Sequence, residues 1–192
     1  MLKVIEGGFA PVRSTKYSAY VDLFSREDVT IGAGETKIVP LGVKINLDKL
    51  KTDWINKSEL IFKPDSARKS LIEFGFHKFM SSHYLEVALR SSLALKGLII
   101  SNGIGIIDLD YSDEIGLIVH NPIKKPIVTF DANNIKSTFK MNFGEDFNIK
   151  KGHKVAQCTL KEHKGYLMGY ESDTLREGGF GSTGERNVEG VR

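Results

Sequence analysis

Thr30-Ile-Gly-Ala-Gly-Glu-Thr-Lys-Ile-Val-Pro-Leu-Gly-Val-Lys-Ile45 sets the texture of the whole chain. It reads as two short strands around a Gly-rich turn, the second alternating at Val43 and Ile45. β-Branched residues suit a pleated, half-buried surface, and Gly supplies the turn between them. Working outward, Gly97 to Asn102, Gly103 to Leu109 and Glu114 to Asn121 are further short β-type runs bounded by Gly, Asn and Asp. Lys125 to Phe130 and Ser137 to Phe143 flank Asp131-Ala-Asn-Asn134, a hairpin-turn signal, and Val155 to Lys161 reads as another strand. Many short strands with close turn signals predict an all-β sandwich or barrel rather than βαβ units. Asp48 to Ser82 departs from this. Leu50, Trp54 and Ile55 fall at near-helical spacing, and after Pro64 the pair Asp65-Ser66 reads as a helix start leading into Leu71, Ile72 and Phe74. A mostly helical excursion from a β domain is expected there.

Composition narrows the function classes. The 192 residues favour one domain. With 27 Lys+Arg against 24 Asp+Glu the net charge is only +3, too balanced for a protein that coats nucleic acid, so no direct nucleic-acid binding is expected. A single cysteine, Cys158, excludes a disulfide framework and a Cys-cluster zinc site, and suits a reducing compartment. Met1-Leu-Lys-Val-Ile-Glu-Gly-Gly turns polar too soon for a signal peptide. No apolar run approaches the ~20 residues of a membrane span, so a soluble protein with no membrane partner is expected. Glycine, at 19 residues, is in mild excess.

Several constellations could carry chemistry. Arg90-Ser-Ser-Leu-Ala94 can offer a guanidinium fork, hydroxyls and backbone N–H groups to a phosphate. Taken alone it reads more simply as a solvated turn. In Ser101-Asn-Gly-Ile-Gly-Ile-Ile-Asp-Leu-Asp-Tyr111 the two glycines do not make a dinucleotide fingerprint, because Ile106-Ile107-Asp108 follows Gly105. Strand glycines mark a bulge or close backbone approach by a ligand. Asp108 in an apolar strand is either held by a structural partner or faces a cleft as a general base, and the residues leave both open. The five histidines show no metal-ligand spacing. Arg176-Glu-Gly-Gly-Phe-Gly-Ser-Thr-Gly184 is too Gly-rich for helix or strand interior and is no P-loop, since Glu185 stands where Lys would follow. In isolation it reads as a disordered terminus, with Phe180 the odd residue in it.

Taken in order, these pieces resemble the trimeric dUTPase family (deoxyuridine triphosphate nucleotidohydrolases), whose five short motifs all have counterparts. The first is Ala19-Tyr-Val-Asp-Leu-Phe-Ser25 with Val39-Pro-Leu-Gly-Val43; the second is Arg90 to Ala94; the third runs from Asn102 through Tyr111 to Asn121. The fourth is Gly152-His-Lys-Val-Ala-Gln157, and the fifth is Gly178-Gly-Phe-Gly-Ser-Thr-Gly184. Any one is weak, but five in order over most of the chain are specific. The family usually has Gly where Tyr20 stands and often Gly at Ser92. Its phosphate-binding Arg falls at the position of Leu175, one residue before Arg176.

The resemblance implies a jelly-roll-like β-sandwich with a mostly helical insertion, assembled as a homotrimer whose subunits share each active site. It implies one dUTPase-like β domain over residues 1–175, insertions at about 48–83 and 122–151, and a flexible Gly-rich arm over 176–192. The implied activity is that of a dUTP diphosphatase: Mg²⁺-dependent hydrolysis of dUTP to dUMP and pyrophosphate, keeping uracil out of DNA and supplying dUMP for thymidylate synthesis. The backbone from Asn102 to Asp108, including Gly103, Ile106 and Ile107 and flanked by Gly116, would cradle uracil. Tyr111 would exclude a 2′-hydroxyl. Asp108 would deprotonate the water attacking the α-phosphorus. Arg90, Ser91, Ser92 and Gln157 would hold phosphates, with Mg²⁺ bridging them and Asp22 holding a Mg²⁺-bound water. Phe180 would close over uracil as the arm orders, with Gly181 in the arm and Arg176, Ser182 and Thr183 reaching the γ-phosphate.

Two other readings compete with this one. dCTP deaminase shares the fold and the Arg-Ser-Ser turn, but its catalytic Glu lies ten residues after the shared Asp, where this chain has Ile118. A partner-binding or regulatory protein of the same fold, using the insertions as a protein-docking surface, is the other. Some viral members carry extra segments, so a phage or viral source is expected, with a cytoplasmic location (the host's if viral).

Overall fold

Alternation builds the central strands. A computed structural model describes residues 1–59, 66–122 and 144–169, without the side chains of residues 58, 59 and 66–69. In β6 (His83–Leu89), Leu85 and Val87 point into the core at 0% and 1% exposure, while Tyr84, Glu86 and Ala88 share the opposite face. β6 lies between β11 (Lys154–Glu162) and β8 (Gly105–Asp108), and β2 (Val21–Phe24) flanks β11, giving an antiparallel sheet β2-β11-β6-β8. A second sheet has the order β4-β9-β7, from Thr36–Pro40, Gly116–His120 and Ile99–Ile100. Smaller antiparallel pairs are β1 (Leu2–Val4) with β5 (Val43–Ile45), and β3 (Val29–Ile31) with β10 (Phe147–Ile149).

The inner faces meet in one apolar core. Leu23, Leu85, Val87 and Cys158 come from the first sheet, Val39, Leu117 and Val119 from the second, and Ile31, Val43 and Ile149 from the smaller pairs. Each such fully buried side chain stabilises the fold by about 1.5–3 kcal/mol. The architecture is the all-β sandwich expected from the sequence.

The expected two strands between Thr30 and Ile45 are three. Gly32 and Glu35 close the first turn, with the Gly32 N–H donating to Glu35 Oε2 at 2.7 Å. The chain breaks again at Leu41-Gly42, where Leu41 N–H donates to the Ile115 carbonyl at 3.0 Å. β4 and β5 consequently join different pairings. Gly42 has φ +65°, and a Cβ there would stand 2.4 Å from Gly8 Cα, so geometry and space both demand glycine.

The helical excursion is α1 (Leu47–Glu59) and α2 (Ser66–Met80). Asn46 caps α1, its Oδ1 accepting the Lys49 N–H at 3.0 Å. The Trp54 indole N–H donates to the Ile72 carbonyl at 3.2 Å, and its ring lies 5.1 Å from that of Phe79. Phe79 in turn stacks on His83 at 4.4 Å, which docks the excursion on the start of β6. The expected hairpin around 131–134 lies outside the described residues, as does the Gly-rich segment 176–184.

Candidate active site

One end of β6 delivers a cluster of cations. The strand ends at Leu89, Arg90 donates its backbone N–H to the Val155 carbonyl at 3.1 Å, and a single helical turn, α3 (Ser91–Ala94), follows. Ser91 and Ser92 are exposed on it. The Arg90 guanidinium Nη1 pairs with Asp22 Oδ1. Asp22 Oδ2 takes the Ser14 hydroxyl at 2.5 Å and the Lys154 ammonium at 2.9 Å. Burial of Asp22 disfavours its charge, but the bonds from Ser14, Lys154 and Arg90 outweigh it and hold the carboxyl below its usual range. Gln157 pairs in register with Asp22 on one side and Ala88 on the other, which puts it on the same sheet face.

The other element is the tight turn from β7 to β8, which carries the chain from the second sheet to the first. It is made by Gly103 N–H donating to the Ile100 carbonyl at 3.2 Å, with Gly103 at φ +73°. Asn102 and Gly103 are exposed, Ile106 is 60% exposed, and Ile107 is half-buried. Asp108 ends β8 and is exposed, so the sequence's concern over a carboxylate buried in an apolar strand does not arise within this chain. Tyr111 donates its N–H to the Asp108 carbonyl at 3.1 Å and is buried, at 6% exposure. Gly116 opens β9 opposite Pro40.

Register separates the two ends. Asp108 pairs with Tyr84, and Arg90 lies six positions further along the same stretch. At ~3.3 Å per residue that is about 20 Å, far beyond the reach of a general base to a phosphate held by Arg90 of the same chain.

No family model matches the chain. It is 30% identical over 185 residues to the deoxyuridine 5'-triphosphate nucleotidohydrolase of Rickettsia felis, covering 92% of this chain and 89% of that protein. The variola virus protein of the same name is 30% identical over 177 residues, covering 92% and 86%. The chain belongs to the dUTPase family. The fold agrees with solved dUTPase structures: that of Staphylococcus phage 80alpha (TM-score 0.54, 17% identity, covering 94% and 97%) and that of phage phi11 of S. aureus (TM-score 0.53, 18% identity, covering 95% and 97%).

Against the dUTPase motifs, the structure brings together Asp22 of the first, Arg90 of the second, and Lys154 and Gln157 of the fourth. The third, carrying Asn102, Asp108 and Tyr111, forms one continuous stretch of turn, β8 and turn. The fifth, with Phe180, Gly181, Ser182 and Thr183, lies outside the described residues together with Arg176. Gly105 is explained by packing: a Cβ there would lie 3.1 Å from both the Cβ and the carbonyl oxygen of Val87. Tyr20, where dUTPases usually carry Gly, donates its hydroxyl to Glu86 Oε1, which pushes the phenol up to about 12. Sequence reasoning missed Ser14 and Lys154. Lys154 stood inside the fourth motif and could have been singled out, whereas Ser14 has no local signal. Cys158 is buried in the core, and desolvation pushes its thiol to about 12.

Proposed function

We propose that this protein hydrolyses dUTP to dUMP and pyrophosphate at sites shared between copies of the chain, in a homotrimer. Family membership supports the activity, and the ~20 Å separation of Asp108 from Arg90 supports the sharing. Arg90, with the exposed Ser91 and Ser92 and the neighbouring Gln157, is the phosphate cradle of one subunit. Asp22 is a positioning residue for it, holding the guanidinium so that its free N–H groups face the triphosphate. Asp108 of a neighbouring subunit orients and deprotonates the water that attacks the α-phosphorus.

Mg²⁺ fits this donor set as a substrate-borne ion. Among the described residues no three His, Cys, Asp or Glu side chains converge into a cage. The oxygens of Asp22 are already engaged by Ser14, Lys154 and Arg90, which leaves room for contact through water rather than direct ligation. When bound, the ion supplies charge neutralisation across the triphosphate. Uracil lies along the backbone of residues 102–108, with Gly116 at its flank, and Tyr111 closes against the deoxyribose. Residues 1–175 make the β domain, with 48–83 and 122–151 as insertions. The 176–192 arm brings Phe180 over the base and Arg176, Ser182 and Thr183 to the γ-phosphate. The cytoplasm is the location that fits this substrate; no helix among the described residues is long and apolar enough to cross a membrane.

The test is pyrophosphate release with Mg²⁺ and each of dUTP, dCTP and dTTP. Rapid release from dUTP alone is expected, because a site built for one hydrogen-bonding edge can reject another by ~10⁴–10⁵. Equal release from dCTP or dTTP contradicts it. A second, compatible reading gives the helical excursion a protein-docking role. Leu71 and Phe74, three residues apart on α2, are each 68% exposed.

A further inference from the structure

Tyr111 is held by more than its own turn. Its hydroxyl donates to the backbone carbonyl of Glu114 at 3.3 Å, so the position of the ring depends on where residue 114 sits. Glu114 is fixed from the opposite direction. Its Oε1 accepts the Gly42 N–H at 2.7 Å and lies 2.9 Å from Arg26 Nε, an atom shielded from solvent. The Arg26–Glu114 contact is an ion pair rather than an aligned hydrogen bond. Both side chains are mostly covered, at 33% and 23% exposure, so solvent screens them less than an open surface pair.

The arginine is itself built in. Its backbone N–H donates to the Pro40 carbonyl at 2.9 Å, and Cβ atoms placed on Gly7 and Gly42 would come within 3.6 and 3.4 Å of its stem. The next residue, Ile115, closes the brace, its N–H donating to Val43 at 2.9 Å while its carbonyl accepts from Leu41 at 3.0 Å. A chain of direct bonds thus runs from the β2–β3 corner through Glu114 to the Tyr111 hydroxyl.

We propose that the Arg26–Glu114 pair is a positioning device that fixes the Tyr111 ring and thereby sets how strictly the enzyme rejects a ribose. The proposal rests on the reading of Tyr111 as the residue lying against the deoxyribose. Steric exclusion of one hydroxyl depends on ring placement to within a fraction of an ångström, and a flexible ring yields. Neither Arg26 nor Glu114 touches substrate in this scheme. Loosening them therefore relaxes the choice of sugar more than it slows dUTP turnover.

The experiment measures kcat/KM for dUTP and UTP in wild type, Glu114→Ala, Glu114→Gln, Arg26→Met and Tyr111→Ala, with thermal melting of each. Glu114→Ala and Arg26→Met should each raise the UTP:dUTP ratio by about tenfold. A protein carrying both Arg26→Met and Glu114→Ala, measured alongside, should do no more than Glu114→Ala alone, because both act through one contact. Glu114→Gln keeps an oxygen for the Gly42 N–H and should lie closer to wild type than Glu114→Ala. If Glu114→Ala fails to fold, Arg26→Met decides, since it leaves the Glu114–Gly42 bond in place. Unchanged selectivity in the folded variants, with Tyr111→Ala relaxed, overturns the positioning role. Unchanged selectivity in Tyr111→Ala overturns the reading of Tyr111 beneath it.

Discussion

Asp22 and Asp108 are two carboxylates of one sheet placed in opposite environments. Asp22 is 6% exposed and bonded by Ser14, Lys154 and Arg90; Asp108 is exposed at a strand end. The carboxyl of Asp22 is depressed in the folded state, so its charge adds stability above the ordinary carboxylate pKa of ~3.9 and loses it as pH falls through the lower folded value. Urea midpoints of wild type and Asp22→Asn should therefore differ at pH 7 and converge below pH ~3.9; a gap that persists into strong acid contradicts this. Asp108→Asn should behave differently. It should lower turnover by about 10²–10⁴, and near-full activity would remove Asp108 as the base. Arg90, Asp108 and Tyr111 were legible because each stands in a short recognisable string. Ser14, Arg26 and Glu114 were not, because their importance comes from partners 8, 88 and 72 positions away.

Among the elements, those read in advance were the ones that carry their own punctuation. β8 and β9 are short runs bounded by Gly, Asn or Asp, β11 follows the turn at Gly152, and α2 begins at the Ser66 expected from Pro64-Asp65-Ser66. β1, β2, β6 and β10 were not anticipated as strands. Three of them are only three or four residues long, and pairing with a distant partner rather than local pattern makes them strands. β6 was hidden for another reason: it starts directly after α2, with only Ser81 and Ser82 between. Its burial makes it sensitive, and Leu85→Ala should cost about 2–5 kcal/mol in a urea titration. Gly42→Ala tests the corner between β4 and β5. With a positive φ and Gly8 Cα 2.4 Å from the added methyl, it should lose at least ~1–2 kcal/mol. A wild-type midpoint would mean the corner is free to shift.

At the scale of the whole molecule, the fold class was legible from the strand texture, whereas the division of the site was legible only through the family resemblance. Strand texture sufficed for a sandwich, but no string of residues reveals that Asp108 pairs with Tyr84 and so lies about 20 Å along the strand from Arg90. That separation was visible only once the register was known, and it turns the sharing of the site into a measurable property. Subunits carrying Asp108→Asn and subunits carrying Arg90→Ala should each be inactive alone. Refolded together in equal amounts, they should recover pyrophosphate release from dUTP to about a quarter of wild type, the chance that a site between neighbours in a closed ring draws both intact residues. Mixed protein as inactive as its parents would contradict the account, because it would place Asp108 and Arg90 in one chain's site after all.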